Sequence, residues 1–262
     1  MSFLRIGVAL ALVFGPACSA HAADCSRPLP ADYVQGGAHC LGIRIYGDAP
    51  AGTARVLVVA LHGDTSRGGA TETQHGIARR VAGPGVVGVG MLRPGYFDPQ
   101  GRRSEGSDNG RGVTFTPNNV DSVAAGIRTL KEHYRPAKVI LVGHSGGAAT
   151  AGIILGRYPG LADGAVLVSC VCNTETMVKW QRWVGVTDSP HQFAKTLAKN
   201  VRVVAMTGDR DTVTPPSNAE SYVRSLKSNG IDAEFMLVPG EGHDLNNAFL
   251  DRVAIVTTSL AR

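Results

Sequence analysis

Apolar residues in this chain fall into short unbroken runs, separated by stretches of helical periodicity. Arg55 to Leu61 (RVLVVAL), Gly85 to Met91 (GVVGVGM), Lys138 to Val142, Gly164 to Ser169 (GAVLVS), Arg202 to Met206 and Asp232 to Val238 read as strands. Runs of this kind suit parallel strands buried on both faces, which need no polar alternation. Leu41 to Tyr46 is a further short strand, after a turn-rich stretch with Pro28, Pro30, Gly36 and Gly37. Helices are predicted over Glu72 to Val81, Pro117 to His133, from just after Ser145 to Arg157, Ser217 to Ser228 and Asn246 to Thr257. Asn118 or Asn119 can cap the second of these, and Val120, Ala124, Ile127 and Leu130 form its apolar stripe. Ser217 and Glu220 make a capping box, and Gly230 stops that helix. Strands alternating with helices predict an α/β fold, a mostly parallel twisted sheet with helices on both faces. Functional groups are then expected at the carboxyl ends of the strands.

With 262 residues, 44% hydrophobic and 18% charged, the chain suits one such domain with a full core. The net charge of +5 is scattered over pairs such as Arg79-Arg80 and Arg102-Arg103, with no basic run interleaved with aromatics. Nucleic acid is therefore not an expected partner. The first residues depart from the fold pattern: a basic start, Met1 to Arg5, an apolar run, Ile6 to Phe14, and Ala20-His21-Ala22. This is the layout of a signal peptide over 1–22, leaving 23–262 as the domain in a periplasmic or secreted protein. The apolar run is short for a membrane span, so no stable span is expected after cleavage. Lipidation at Cys18 is disfavoured, because Gly15-Pro16-Ala17 lacks the leucine-like residue such sites want.

Export gives the other cysteines meaning. Cys25, Cys40, Cys170 and Cys172 allow three pairings in an oxidising compartment. Cys25 with Cys40 is preferred; Cys170 with Cys172 spans one residue and is expected to be strained. No Cys/His spacing fits zinc, and the glycines of 85–91 do not open a helix as a dinucleotide site requires, so neither metal nor cofactor is expected.

The chemistry concentrates at Gly143-His144-Ser145-Gly146-Gly147. A buried run ends there, a small-residue helix begins, and a serine stands between them in a G-x-S-x-G frame. Such a turn presents its Oγ above the sheet edge, where the helix N-terminus favours a developing oxyanion. Three other strand ends carry polar groups: His62-Gly63-Asp64, Gly208 to Pro215 with Asp209 and Asp211, and Gly240-Glu241-Gly242-His243. The order serine, acid, histidine and these loop motifs resemble the α/β-hydrolase-fold serine hydrolases, over roughly Leu41 to the C-terminus. The resemblance implies Ser145 as nucleophile, His243 as general base and Asp211 as the acid orienting it. It favours Asp211 over Asp209, which then braces the loop. It implies an oxyanion hole from the N–H groups of Gly146 and Asp64. The Asp64 carboxylate would repel an oxyanion, so it is expected to turn away, towards Arg67 or Arg93; a lesser reading gives it a substrate cation to bind. His62 and His144 are expected to orient backbone or pack beside the site.

The family often inserts a cap after the strand that follows the elbow helix. Here only about 173–199 is available, a short lid with Met177, Trp180, Trp183 and Phe193. Trp180 and Trp183, at helical spacing, either pack a short helix or form an apolar rim. They and Tyr96 are the candidate substrate contacts. The Arg93-Pro94-Gly95-Tyr96 stretch resembles one of proline-iminopeptidase-like hydrolases, but such a stretch also serves as structural wrapping across the superfamily and does not decide ester against peptide. The expected function is an exported serine hydrolase cleaving a small carboxylic ester through an acyl-enzyme. A serine peptidase of prolyl-oligopeptidase-like or aminopeptidase-like type acting on a short peptide is the alternative. A catalytically silent binding protein on the same fold is the third.

Overall fold

A computed structural model describes residues 23–65, 69–108, 115–176 and 187–262. Eight strands form one sheet: β1 (Tyr33–Gly36), β2 (His39–Tyr46), β3 (Val56–Leu61), β4 (Val86–Met91), β5 (Lys138–His144), β6 (Gly164–Val168), β7 (Arg202–Gly208) and β8 (Asp232–Val238). Their spatial order is β1-β2-β4-β3-β5-β6-β7-β8. β2 runs antiparallel to β4, and from β4 to β8 every pairing is parallel. The helices are α1 (Thr73–Val81), α2 (Pro117–Tyr134), α3 (Gly146–Arg157), α4 (Pro216–Ser228) and α5 (Asn247–Ala261).

The unbroken apolar runs have a plain cause. Leu57, Val59, Leu61, Val139 and Leu141 point into a core roofed by α2, α3 and α4. Val56, Val58, Ala60, Ile140 and Val142 point into a second core closed by α1 and α5. A period-two strand covered on both sides leaves no position for a polar residue. The parallel strands all end on one edge, where the loops following β3, β4, β5, β7 and β8 meet.

Several local expectations are corrected. The turn-rich start contains β1, a four-residue strand paired with β2 through Val34 and Leu41. It is too short for a periodic signal, and its pairing and the burial of Val34 in the main core hold it. Thr116, not Asn118 or Asn119, stands at the N-cap of α2, with no side-chain cap; Asn119 donates instead to Ser107 O (3.0 Å). The Ser217–Glu220 box is not formed, because α4 begins at Pro216, which puts Ser217 inside the first turn; Glu220 pairs with Arg224 (3.3 Å). Asn246 does cap α5, accepting from the Phe249 N–H (2.9 Å).

Both disulfides are present, Cys25–Cys40 and Cys170–Cys172, with Cα separations of 5.7 and 5.1 Å. Of the expected lid, Met177, Trp180 and Trp183 lie outside the described residues, as do the expected signal peptide over 1–22 and Arg67. Phe193, in the turn Pro190–Phe193, packs partly buried against the main core. Among the described residues no helix is long and apolar enough to cross a membrane.

Candidate active site

Ser145 sits between β5 and α3 with φ 52° and ψ −117°, a conformation that costs a non-glycine residue energy and persists only where the surroundings enforce it. The enforcement is visible on both sides. The Ser145 N–H donates to Val168 O of the neighbouring strand (2.9 Å), and its carbonyl accepts from Ala149 of the helix (3.0 Å). A Cβ on Gly143 would lie 2.3 Å from Gly147 O, so the strand and helix can meet only over glycine.

His243 arrives from the loop after β8. The Ser145 hydroxyl donates to its Nε2 (3.1 Å), and its Nδ1–H donates to Asp211 Oδ2 (2.9 Å). Asp211, from the loop after β7, is 3% exposed. Its Oδ1 accepts the backbone N–H groups of Val213 and Thr214, each at 2.8 Å. Burial alone would raise the Asp211 carboxyl. The hydrogen bonds from His243 and from the Thr214 backbone and hydroxyl outweigh it and hold the group well below the usual carboxylate range. An ionised carboxylate behind Nδ1–H fixes the tautomer that leaves Nε2 bare for the serine proton.

The neighbouring polar residues brace these loops. Asp209 accepts the Gly240 N–H (2.9 Å), tying its loop to the histidine loop. His144 donates its Nε2–H to the carbonyl of His243 (2.8 Å), so the residue before the serine holds the backbone of the histidine loop. Burial, followed by the nearby His243, lowers its pKa to about 4, which leaves the ring neutral at pH 7. His62 accepts the Arg93 N–H at Nε2 (3.0 Å) and lies edge-on to Tyr96. Burial and the Arg93 charge keep it neutral too, well below the ordinary histidine value.

On the other side of the serine stands Asp64. Arg93, 1% exposed, pairs with its Oδ1 (2.5 Å), and the Tyr96 hydroxyl donates to the same oxygen (3.1 Å). The expected partner is thus Arg93, but the carboxylate is not turned from the elbow. A Cβ at Gly146 would fall 2.6 Å from Oδ2, so Asp64 lies directly over Gly146 and its charge is cancelled by a buried guanidinium instead. Tyr96, at 2% exposure, holds Asp64 through its hydroxyl and packs against His62. Trp180 and Trp183 fall outside the described residues. The Gly146 N–H, first of α3, is one of the donors a helix leaves without an internal acceptor.

One polar contact was not anticipated. The Thr214 hydroxyl lies 2.8 Å from Asp211 Oδ2 and 3.2 Å from His243 Nδ1. The available sequence signal was a hydroxyl residue three positions after the acid, at the spacing that lets it fold back on a carboxylate. Among the described residues no group of three His, Cys, Asp or Glu side chains could hold a metal ion.

Solved structures share this architecture. The native esterase 2 of Thermogutta terrifontis is 16% identical, with a TM-score of 0.63 and 85% of each chain covered. TT1662 from Thermus thermophilus is 14% identical, with a TM-score of 0.61, over 86% of this chain and 93% of that one. Esterase PE8 is 22% identical, with a TM-score of 0.56, over 83% and 99%. At such identities the likeness establishes the α/β-hydrolase fold. No curated protein sequence matches the chain. A sequence model of the prolyl oligopeptidase family matches residues 116–257, more than half of the chain, and that stretch includes the serine, acid and histidine loops. The chain therefore belongs to the prolyl oligopeptidase family and is a serine hydrolase of the α/β-hydrolase fold.

Proposed function

We propose that the chain is an exported carboxylic ester hydrolase working through an acyl-enzyme, with Ser145, His243 and Asp211 as its catalytic triad. The observation that carries the reading is the unbroken relay from Ser145 Oγ to Asp211 Oδ2, at 3.1 and 2.9 Å. His243 Nε2 takes the serine proton as Oγ bonds to the ester carbonyl carbon. The carbonyl oxygen becomes an oxyanion facing the N–H groups of Gly146 and Asp64; each such donor is typically worth about 3–4 kcal/mol in the transition state. The imidazolium returns the proton to the departing alcohol, leaving an acyl-serine. Water, deprotonated by the same nitrogen, then releases the acid and restores the serine.

The esterases among the structural neighbours support an ester substrate, and one of them, from T. terrifontis, was captured phosphonylated by sarin. A second reading, a serine peptidase, is favoured by the family description. Export is supported by the Ala20-His21-Ala22 leader and by the two disulfides, which persist in oxidising compartments. Trp180 and Trp183 are proposed as an apolar rim for the acyl group. The test is fluorophosphonate labelling of the wild type and Ser145→Ala, with a panel of aryl esters and peptide arylamides. Labelling confined to the wild type and faster ester turnover are expected. Labelling that persists in Ser145→Ala removes that residue from the mechanism, and faster arylamide turnover promotes the peptidase.

A further inference from the structure

The acid's second oxygen is shared. Asp211 Oδ1 is occupied by two backbone N–H groups, so Oδ2 alone serves His243. The Thr214 hydroxyl reaches that same Oδ2 at 2.8 Å and closes a triangle with His243 Nδ1 at 3.2 Å. It also lies 3.0 Å from the carbonyl of Ser169, the left-handed residue (φ 48°) that ends β6. A hydroxyl has one proton, and here two acceptors compete for it. Charge decides. An ionised carboxylate oxygen 2.8 Å from a hydroxyl oxygen demands the proton between them, since otherwise lone pairs face each other, and hydrogen bonds to charged acceptors are the stronger ones. Resting on the triad reading above, we propose that Thr214 is a positioning residue that donates its hydroxyl to Asp211 Oδ2, limits how strongly that oxygen holds His243 Nδ1–H, and offers its own lone pair as a second stop for the ring.

The surroundings leave Thr214 in a distinct place. Among the described residues the charged and titratable groups around His243 are Asp211 behind it, His144 against its ring at 5.0 Å between centroids, and Asp244 next along the chain. Asp209 is engaged with the Gly240 N–H, Glu241 with Asn246, and Asp64 with Arg93 beyond Gly146. Among the described residues, Thr214 is an uncharged side chain that touches both partners of the acid–base pair.

Valine is the near-isosteric substitution, removing the hydroxyl and keeping the shape, while serine keeps the hydroxyl. Steady-state kinetics on an aryl ester across pH 5–9 compare the wild type, Thr214→Val, Thr214→Ser and Ser145→Ala. Without the donated proton, Oδ2 stabilises the imidazolium more strongly, so the acidic limb of kcat/KM moves to higher pH, by about half a unit. With one stop for the ring gone, kcat of Thr214→Val falls roughly tenfold while KM stays within about twofold, and Thr214→Ser stays within about twofold of wild type in both. A Thr214→Val enzyme with an unmoved limb and near-normal kcat overturns the inference, as does equal impairment of the valine and serine variants. Circular dichroism verifies folding, and Thr214→Ala takes the valine variant's place in the same comparison if that variant does not fold. Activity surviving in Ser145→Ala overturns the triad itself. A dead Ser145→Ala beside an unaffected Thr214→Val removes only the role of Thr214.

Discussion

The two sides of Ser145 hold their carboxylates by different means. On the His243 side Asp211 is captured locally, by N–H groups two and three residues further along the chain. On the Gly146 side Asp64 is captured at a distance, by Arg93 and Tyr96, 29 and 32 residues away. The first arrangement ties one oxygen to the loop and leaves the other to the imidazole. The second cancels a charge lying over the Gly146 amide. A motif in the sequence announces the first kind of capture. The second exists only once the loops after β3 and β4 lie side by side.

Substitutions of the acid give the sharpest contrast. Asp211→Asn turns an amide N–H toward Nδ1 and favours the wrong tautomer, so kcat on an aryl ester falls by on the order of 10³–10⁴. Asp209→Asn, two residues earlier, loses less than about tenfold, because it bonds Gly240 rather than His243. Equal losses from the two would show that the loop, not the relay, was being measured.

Arg93→Met breaks the other side. It leaves Asp64 partly buried and unbalanced, and costs about 3–5 kcal/mol in urea unfolding. Adding Asp64→Asn recovers much of that loss. Additive single and double values would mean the pair is not coupled.

A smaller effect comes from pH. The folded His144 pKa of about 4 lies below the unfolded value of about 6.5, so the unfolded chain binds more protons between them. Stability is full above about pH 6.5 and is lost as pH falls toward 4. His144 contributes at most about 3 kcal/mol to that loss, at 1.36 kcal/mol per unit. His62 acts with the same sign. Melting temperatures across this window should fall less steeply in His144→Gln. The smallest change is expected at the cap of α5, where Asn246→Ala costs about 1 kcal/mol and leaves kcat within twofold.

How much of this was legible follows the same division. Five of the strands, β3 to β7, stood out because burial on both faces demands unbroken apolar runs such as 56–61 and 138–142. Ser145, Asp211 and His243 stood out because each sits in a short glycine-marked loop at a strand end. β1, the start of α4 and the roles of Tyr96, His144 and Thr214 did not stand out. Each depends on a partner that chain spacing does not reveal, such as Leu41 for Val34 or the His243 carbonyl for His144.

The sequence by itself determined the layering, the strand-end placement of the polar loops and the order of Ser145, Asp211 and His243 along them, because burial periodicity and turn chemistry are local properties of a chain. Only the tertiary structure decided that Asp64 covers Gly146 under the charge of Arg93, and that Asp209 braces a loop while Asp211 faces the imidazole. It also decided that the Thr214 hydroxyl reaches both Asp211 and His243. Those are distances between loops carried by different strands, and they follow from sheet register and packing rather than from any single stretch of residues.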